Sequence, residues 1–135
     1  MFDTKFAIVI RDDLLMWQKL NVTAFLTSGI VGGSGDLIGE PYEDASGVAY
    51  RPLMIQPTIV LTTDGDGLSK IHKRGLERRV DLAIYIDDMF ATGHDEANRA
   101  TVRQHATEDL SLVGLALRAE KKIVDKITKG AKMHP

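Results

Sequence analysis

The sequence predicts an α/β fold, a three-layer α/β/α sandwich around a four- to five-stranded mixed sheet. Three observations carry that prediction. Short apolar runs recur at 5–11, 53–63, 80–87 and 110–118, the first rich in β-branched residues. Segments with apolar residues at three- and four-residue spacing lie between them. The two kinds of segment alternate, the order in which helices come to cover both faces of one sheet. At 135 residues the chain fits one domain, 1–135, large enough to bury most of its apolar surface. No repeat, low-complexity tract or linker interrupts it.

The elements follow in order. "KFAIVIR", 5–11, is a continuous apolar run bracketed by charge, as a strand buried on both faces requires. Asp12 or Asp13 then caps a helix in which Met16, Leu20, Ala24, Thr27 and Val31 recur at helical spacing. Residues 32–53 read as loop, with a short strand at "GVAYR". "LMIQPTIVLTT", 53–63, is the next strand, and Pro57, lacking an N–H, favours an edge or a bulge there. "DGDGLSKIHKRGLERR" is a capped helix with Leu68, Ile71 and Leu76 inward. "VDLAIYID" is the third strand. "TGHDEANRATVRQHATEDL" is amphipathic, with Ala97, Ala100 and Val102 on a modest apolar side. "LSLVGLALR" is the fourth strand, and "AEKKIVDKITKG" a terminal helix stopped by Gly130.

Composition narrows the function classes. Apolar content of 44% and charged content of 27% are those of an ordinary globular protein. A net charge of −2 and a pI near 6.1 argue against dominant binding to nucleic acid or anionic membrane. Cysteine is absent, so disulfides, thiolate metal sites and a cysteine nucleophile are excluded. The first residues are too short and too acidic for a signal peptide, and no run approaches a membrane span. A cytoplasmic protein with no membrane partner is the expectation.

Four motifs compete for a chemical role. "GSGDLIG", 33–39, is one residue longer than the dinucleotide fingerprint, and it follows a helix rather than opening one. It reads as helix termination and a mobile wall. Lys70, Lys73, Arg74, Arg78 and Arg79 form a basic helix face without interleaved aromatics, so solvation outweighs RNA binding. "HDE", 94–96, reads as an N-terminal capping cluster, because consecutive helical side chains diverge. "IDDMFAT", 86–92, sets two aspartates at the carboxyl end of a strand, where open α/β sheets place ligands; a helix cap explains it equally well. No Gly-x-Ser-x-Gly elbow supports a hydrolase of that type.

The strand "KFAIVIR" running into "RDDL", Lys19 in the helix that follows, and the ending "LSLVGLALRAEKKIVDKITKG" resemble the type II peptidyl-tRNA hydrolases. Arg11, Asp13 and Leu14 match the Arg-x-Asp-Leu element of that family. Asp88 and Thr92 match the first and last members of its Asp-Ala-Gly-x-Thr loop. The resemblance covers about three quarters of the chain. Thr23 and Leu26 stand where the family has a glutamine and a histidine, and Met89, Phe90 and Ala91 replace the small middle of the loop. The whole sequence also resembles an uncharacterised bacterial family of unknown function assigned to the same fold.

The resemblance implies a hydrolase of an ester bond on an RNA-linked or small acyl substrate, with no cofactor and no metal. Lys19 would stabilise an oxyanion or phosphate, Asp88 would orient water or Lys19, and Thr92 would donate a hydroxyl. The competing reading is a non-catalytic module for a small ligand or partner, its cleft reshaped by Trp17, Phe90 and the glycine loop. A homo-oligomer held by exposed apolar residues is the third.

Overall fold

The computed structural model describes residues 2–135. Its sheet has five strands in the order β5-β6-β1-β4-β7. They are β1 (Thr4–Arg11), β4 (Thr58–Thr63), β5 (Ala83–Ile86), β6 (Leu112–Glu120) and β7 (Lys132–Met133). β1 pairs parallel with β4, Phe6 opposite Thr58, and antiparallel with β6, Phe6 opposite Arg118. β5 and β7 lie antiparallel at the two edges. The sheet is therefore mixed, as expected. Its central strand β1 has both neighbours and is buried along Phe6–Ile10.

Alternation along β1 divides the core. Ala7 and Val9 join Leu68 and Ile71 of α2 (Gly65–Glu77) and Val124 and Ile127 of α4 (Lys121–Ile127). Phe6, Ile8 and Ile10 face the other way and meet Val22 and Leu26 of α1 (Met16–Ser34). Helices thus cover both faces of the sheet. α1 lies so close over β6 that a Cβ at Gly114 would fall 2.8 Å from Val22 Cγ1. Glycine there sets the docking distance. α3 (Asp95–Arg103) lies beyond the β5 edge, after a 3₁₀ helix at Asp87–Ala91.

Several boundaries differ from expectation. α1 begins at Met16, and Gln18 Oε1 accepts from Leu15 N at 2.9 Å; neither Asp12 nor Asp13 caps it. Asp13 pairs with Arg11 Nε at 2.6 Å, and Asp12 N donates to Thr63 O at 2.9 Å. The strand expected from 53 starts only at Thr58, immediately after Pro57, whose ring lacks the ladder donor. Leu76 is exposed, and Leu68, Ile71, His72 and Gly75 form the inner side of α2. The helix expected over 92–110 shrinks to Asp95–Arg103, followed by a 3₁₀ turn at Thr107–Asp109.

The glycines divide between two roles. Gly29, Gly32 and Gly33 lie inside α1, and Gly35, at φ 69°, terminates it in the left-handed conformation. The segment beyond is fastened and not a free wall. Leu37 is buried, Ile55 N donates to Leu37 O at 2.7 Å, and Gly39 N to Leu53 O at 3.0 Å. Between those ties a hairpin of β2 (Tyr42–Glu43) and β3 (Ala49–Tyr50) projects outward. No helix among the described residues is long and apolar enough to cross a membrane.

Candidate functional site

The residues singled out from sequence do not converge. Lys19 Nζ lies 3.3 Å from His134 Nε2, beside the β7 edge. Asp88 follows β5 at the opposite edge, where its Oδ2 accepts from Thr101 Oγ1 at 3.4 Å and stands 3.0 Å from His105 Nε2. The His105 hydrogen bond holds the Asp88 carboxyl below its ordinary range. Thr92 Oγ1 donates to Met89 O at 2.9 Å and also contacts Asn98 Oδ1. Asp88 and Thr92 are thus brought together, and both tie the 3₁₀ helix to α3. Among the described residues, no hydrogen bond links either to Lys19.

The matched "RDDL" element also has a structural role. Arg11 Nε binds Asp13, and its Nη1 donates to Leu112 O at 3.3 Å, so the arginine clasps the carboxyl end of β1 to β6. The "HDE" cluster caps α3 as expected: His94 Nδ1 accepts from Ala97 N at 3.3 Å, and Asp95 pairs with Arg99. Of the basic face, Arg74 donates to Ile127 O and Lys129 O at 3.2 and 2.7 Å, and the other four cations are exposed. Among the described residues, no three His, Asp or Glu side chains gather as metal ligands.

What does converge is aromatic. Trp17 meets Phe90 edge to face at 5.8 Å, Phe90 meets Tyr85 at 5.2 Å, and Tyr85 meets Phe25 at 5.8 Å. This row borders two adjoining hollows between α1, β5 and α3, of about 550 and 260 Å³. Phe25, Tyr85, Met89, Asp95 and Asn98 line both. Asn21, one turn from Trp17 and from Phe25, adds an amide to the smaller one. Burial pushes the Tyr85 hydroxyl up, and a hydrogen bond with Asn21 works against it. Arg99 and Arg103 of α3 stand at the mouth of the larger hollow.

Apolar walls with a few amides fix a ligand's orientation, and offset rings add about 0.5–1.5 kcal/mol per pair beyond their burial. Sequence reasoning anticipates Trp17 and Phe90 as reshaping the cleft but misses Asn21, Phe25, Tyr85 and Asn98. The available signal is the Trp17-Asn21-Phe25 spacing, one stripe of a helix. Tyr85 sits in a strand that reads simply as core.

Fold and site together define a mixed α/β protein with an aromatic-lined groove beside the edge strand of its sheet. The chain belongs to the family described as protein of unknown function (DUF2000), whose model matches residues 4–135. Its fold is similar to that of the protein of unknown function Atu0240 from Agrobacterium. The two share 58% identity at a TM-score of 0.98, and the match covers 100% of each chain. No curated protein matches.

Proposed function

We propose that this chain is a binding module for a small, flat, largely apolar molecule held between α1, β5 and α3. The continuous row Trp17-Phe90-Tyr85-Phe25 along the groove is the observation that carries this reading. Hollows of about 550 and 260 Å³ suit a ligand of metabolite size. Asn21 and Asn98 would read its polar end, and Arg103 would favour a negative charge at the larger hollow, where Arg99 is already paired with Asp95. The reading invokes no cofactor. It treats 1–135 as one domain, supported by the family match across residues 4–135. It places the protein in the cytoplasm, in keeping with a cysteine-free sequence.

Trp17 is the only tryptophan, so its fluorescence reports on the groove directly. Titration with a panel of aromatic acids and nucleobases is expected to give saturable quenching by one class. Asn21→Ala should weaken that binding about tenfold, the equivalent of one lost hydrogen bond. A panel that leaves Trp17 unchanged would count against the reading.

The hydrolase reading, with kinship to the type II peptidyl-tRNA hydrolases and an RNA-linked or small acyl substrate, has one observation in its favour. Asp88 holds His105 at hydrogen-bond distance, the geometry of an oriented general base. Against it, Lys19 and Thr92 are engaged elsewhere. Ester turnover by the purified protein, lost about a hundredfold in Asp88→Asn and in Lys19→Ala, would establish catalysis in place of simple binding.

A further inference from the structure

α1 is apolar on every side. Its inner stripe, Val22 and Leu26, is buried against the sheet, and Trp17, Asn21 and Phe25 face the groove. The third stripe, Met16, Leu20, Ala24 and Val31, is the one its sequence spacing displays most plainly. Its first part faces out, with Met16 69% and Leu20 65% exposed, and Val31 at its end packs partly against the core. A helix apolar all round normally has no solvent face. Lys19 is the only charge in its nineteen residues. The hydroxyls of Thr23, Thr27, Ser28 and Ser34 donate to Lys19 O, Thr23 O, Phe25 O and Ile30 O of the same helix. They need no water, so this surface can be covered without leaving donors unpaired.

The outer stripe continues into a hollow of about 650 Å³. Ala24, Thr27 and Val31 form one wall, and Ile38, Leu53 and Ile55 the other. From the rim of this hollow springs the β2–β3 hairpin, in which every residue from 40 to 51 is exposed. Its apolar residues Tyr42, Val48 and Tyr50 are each about half exposed. A bare two-stranded hairpin is marginal in water. Its ordering here is local: Asp44 accepts from Ser46 N, Val48 N and Tyr50 Oη. One surface therefore carries an open apolar hollow and a projecting arm in which Tyr42, Val48 and Tyr50 stand half exposed among Glu40, Glu43, Asp44 and Arg51.

We infer that this surface binds a second copy of the chain in a two-fold dimer, the hairpin of each copy lying in the α1–Leu53 hollow of the other. Each copy then supplies what the other lacks, the self-complementarity an isologous contact requires. The eight large exposed side chains of stripe, hollow and arm present on the order of 800 Å² at roughly 100 Å² for each half-exposed side chain. That is about the share one partner gives to a stable interface, ~800 Å². The near absence of charge on α1 lets two such helices meet without repulsion.

Sedimentation equilibrium and chemical cross-linking test this. The wild type is expected to sediment at twice the 14.9 kDa chain mass. Leu20→Asp and Val48→Asp are each expected to return it to one chain mass with an unchanged far-UV spectrum. Because the chain has no cysteine, introduced thiols are unambiguous. A Val48→Cys copy mixed with a Val31→Cys copy should cross-link to each other through a short bifunctional reagent. This second measurement needs no disruptive variant. A monomeric wild type would overturn the inference and leave the hollow to a different partner. So would dimers insensitive to both aspartates, or a mixture in which 48 never reaches 31.

Discussion

Helices α1 and α2 cover opposite faces of one sheet with sequences that share almost nothing. α2 is finished against water: Asp64 Oδ1 accepts from Gly67 N at 2.8 Å, Leu68 and Ile71 point in, and Asp66, Lys70, Lys73 and Glu77 point out. α1 is longer, carries one charge, and has apolar residues on all sides. Both dock on the sheet through fully buried side chains, Val22 and Leu26 on α1 and Leu68 and Ile71 on α2. The difference lies in what each presents outward: charged side chains on α2, and mostly uncharged, partly apolar side chains on α1.

If docking is equal, truncation inside either helix should cost the same. Leu26→Ala on α1 and Leu68→Ala on α2 each remove a fully buried leucine and should each lower stability by about 3 kcal/mol in urea unfolding. A loss below about 1 kcal/mol for Leu26→Ala alone would mean that α1 is not seated on Gly114, and the equivalence of the two helices would fail. The helix ends sharpen the contrast next. Asp64→Ala should cost about 1 kcal/mol by removing the cap of α2, measured by the same unfolding curves. Gln18→Ala, at the exposed start of α1, should cost about half of that.

The smallest effect is one of pH, and α1 has no counterpart to it. Burial holds the His72 imidazole below its ordinary value of 6.5, so the folded chain favours the neutral ring. As pH falls below 6.5 the unfolded chain takes the proton first, and stability declines until the folded form also protonates. His72→Gln should flatten that decline. A variant whose stability still fell just below pH 6.5 would assign the decline to another group. Asp88 acts in a separate window. Its carboxyl is held low by His105, so its contribution is present above the ordinary carboxylate range and is lost only under more acid conditions.

The same contrast explains what was legible in the sequence. β1, β4 and β6 announce themselves as apolar runs, and α2 by its cap and one-sided pattern, because each has one environment per face. α1 does not say which stripe faces the sheet. Met16-Leu20-Ala24 is as regular as Val22-Leu26, and only the packing against Gly114 decides. α3 is shorter than its pattern suggests for the converse reason: beside Val102 its inner side is polar, Asn98 and Thr101, and these and His105 beyond its end are joined by hydrogen bonds to Thr92 and Asp88. β7 has two residues and no pattern to detect. At the site, the residues matched by resemblance, Arg11, Asp88 and Thr92, bind elements together. The groove is lined by aromatics whose meeting depends on how α1 crosses β5.

The strand order has a consequence for biosynthesis. β1 is made before both of its ladder partners, Thr58–Thr63 and the far Gly114–Glu120. At roughly 5–20 residues per second, "KFAIVIR" waits on the order of 5–20 s on the ribosome before β6 exists to flank it. The centre of the sheet therefore closes only after β6 has been made, and a nascent chain stalled before β6 would carry an apolar strand with one side unpaired. Holdase chaperones that recognise short apolar extended segments would meet this protein at β1, and release from them would coincide with the arrival of β6.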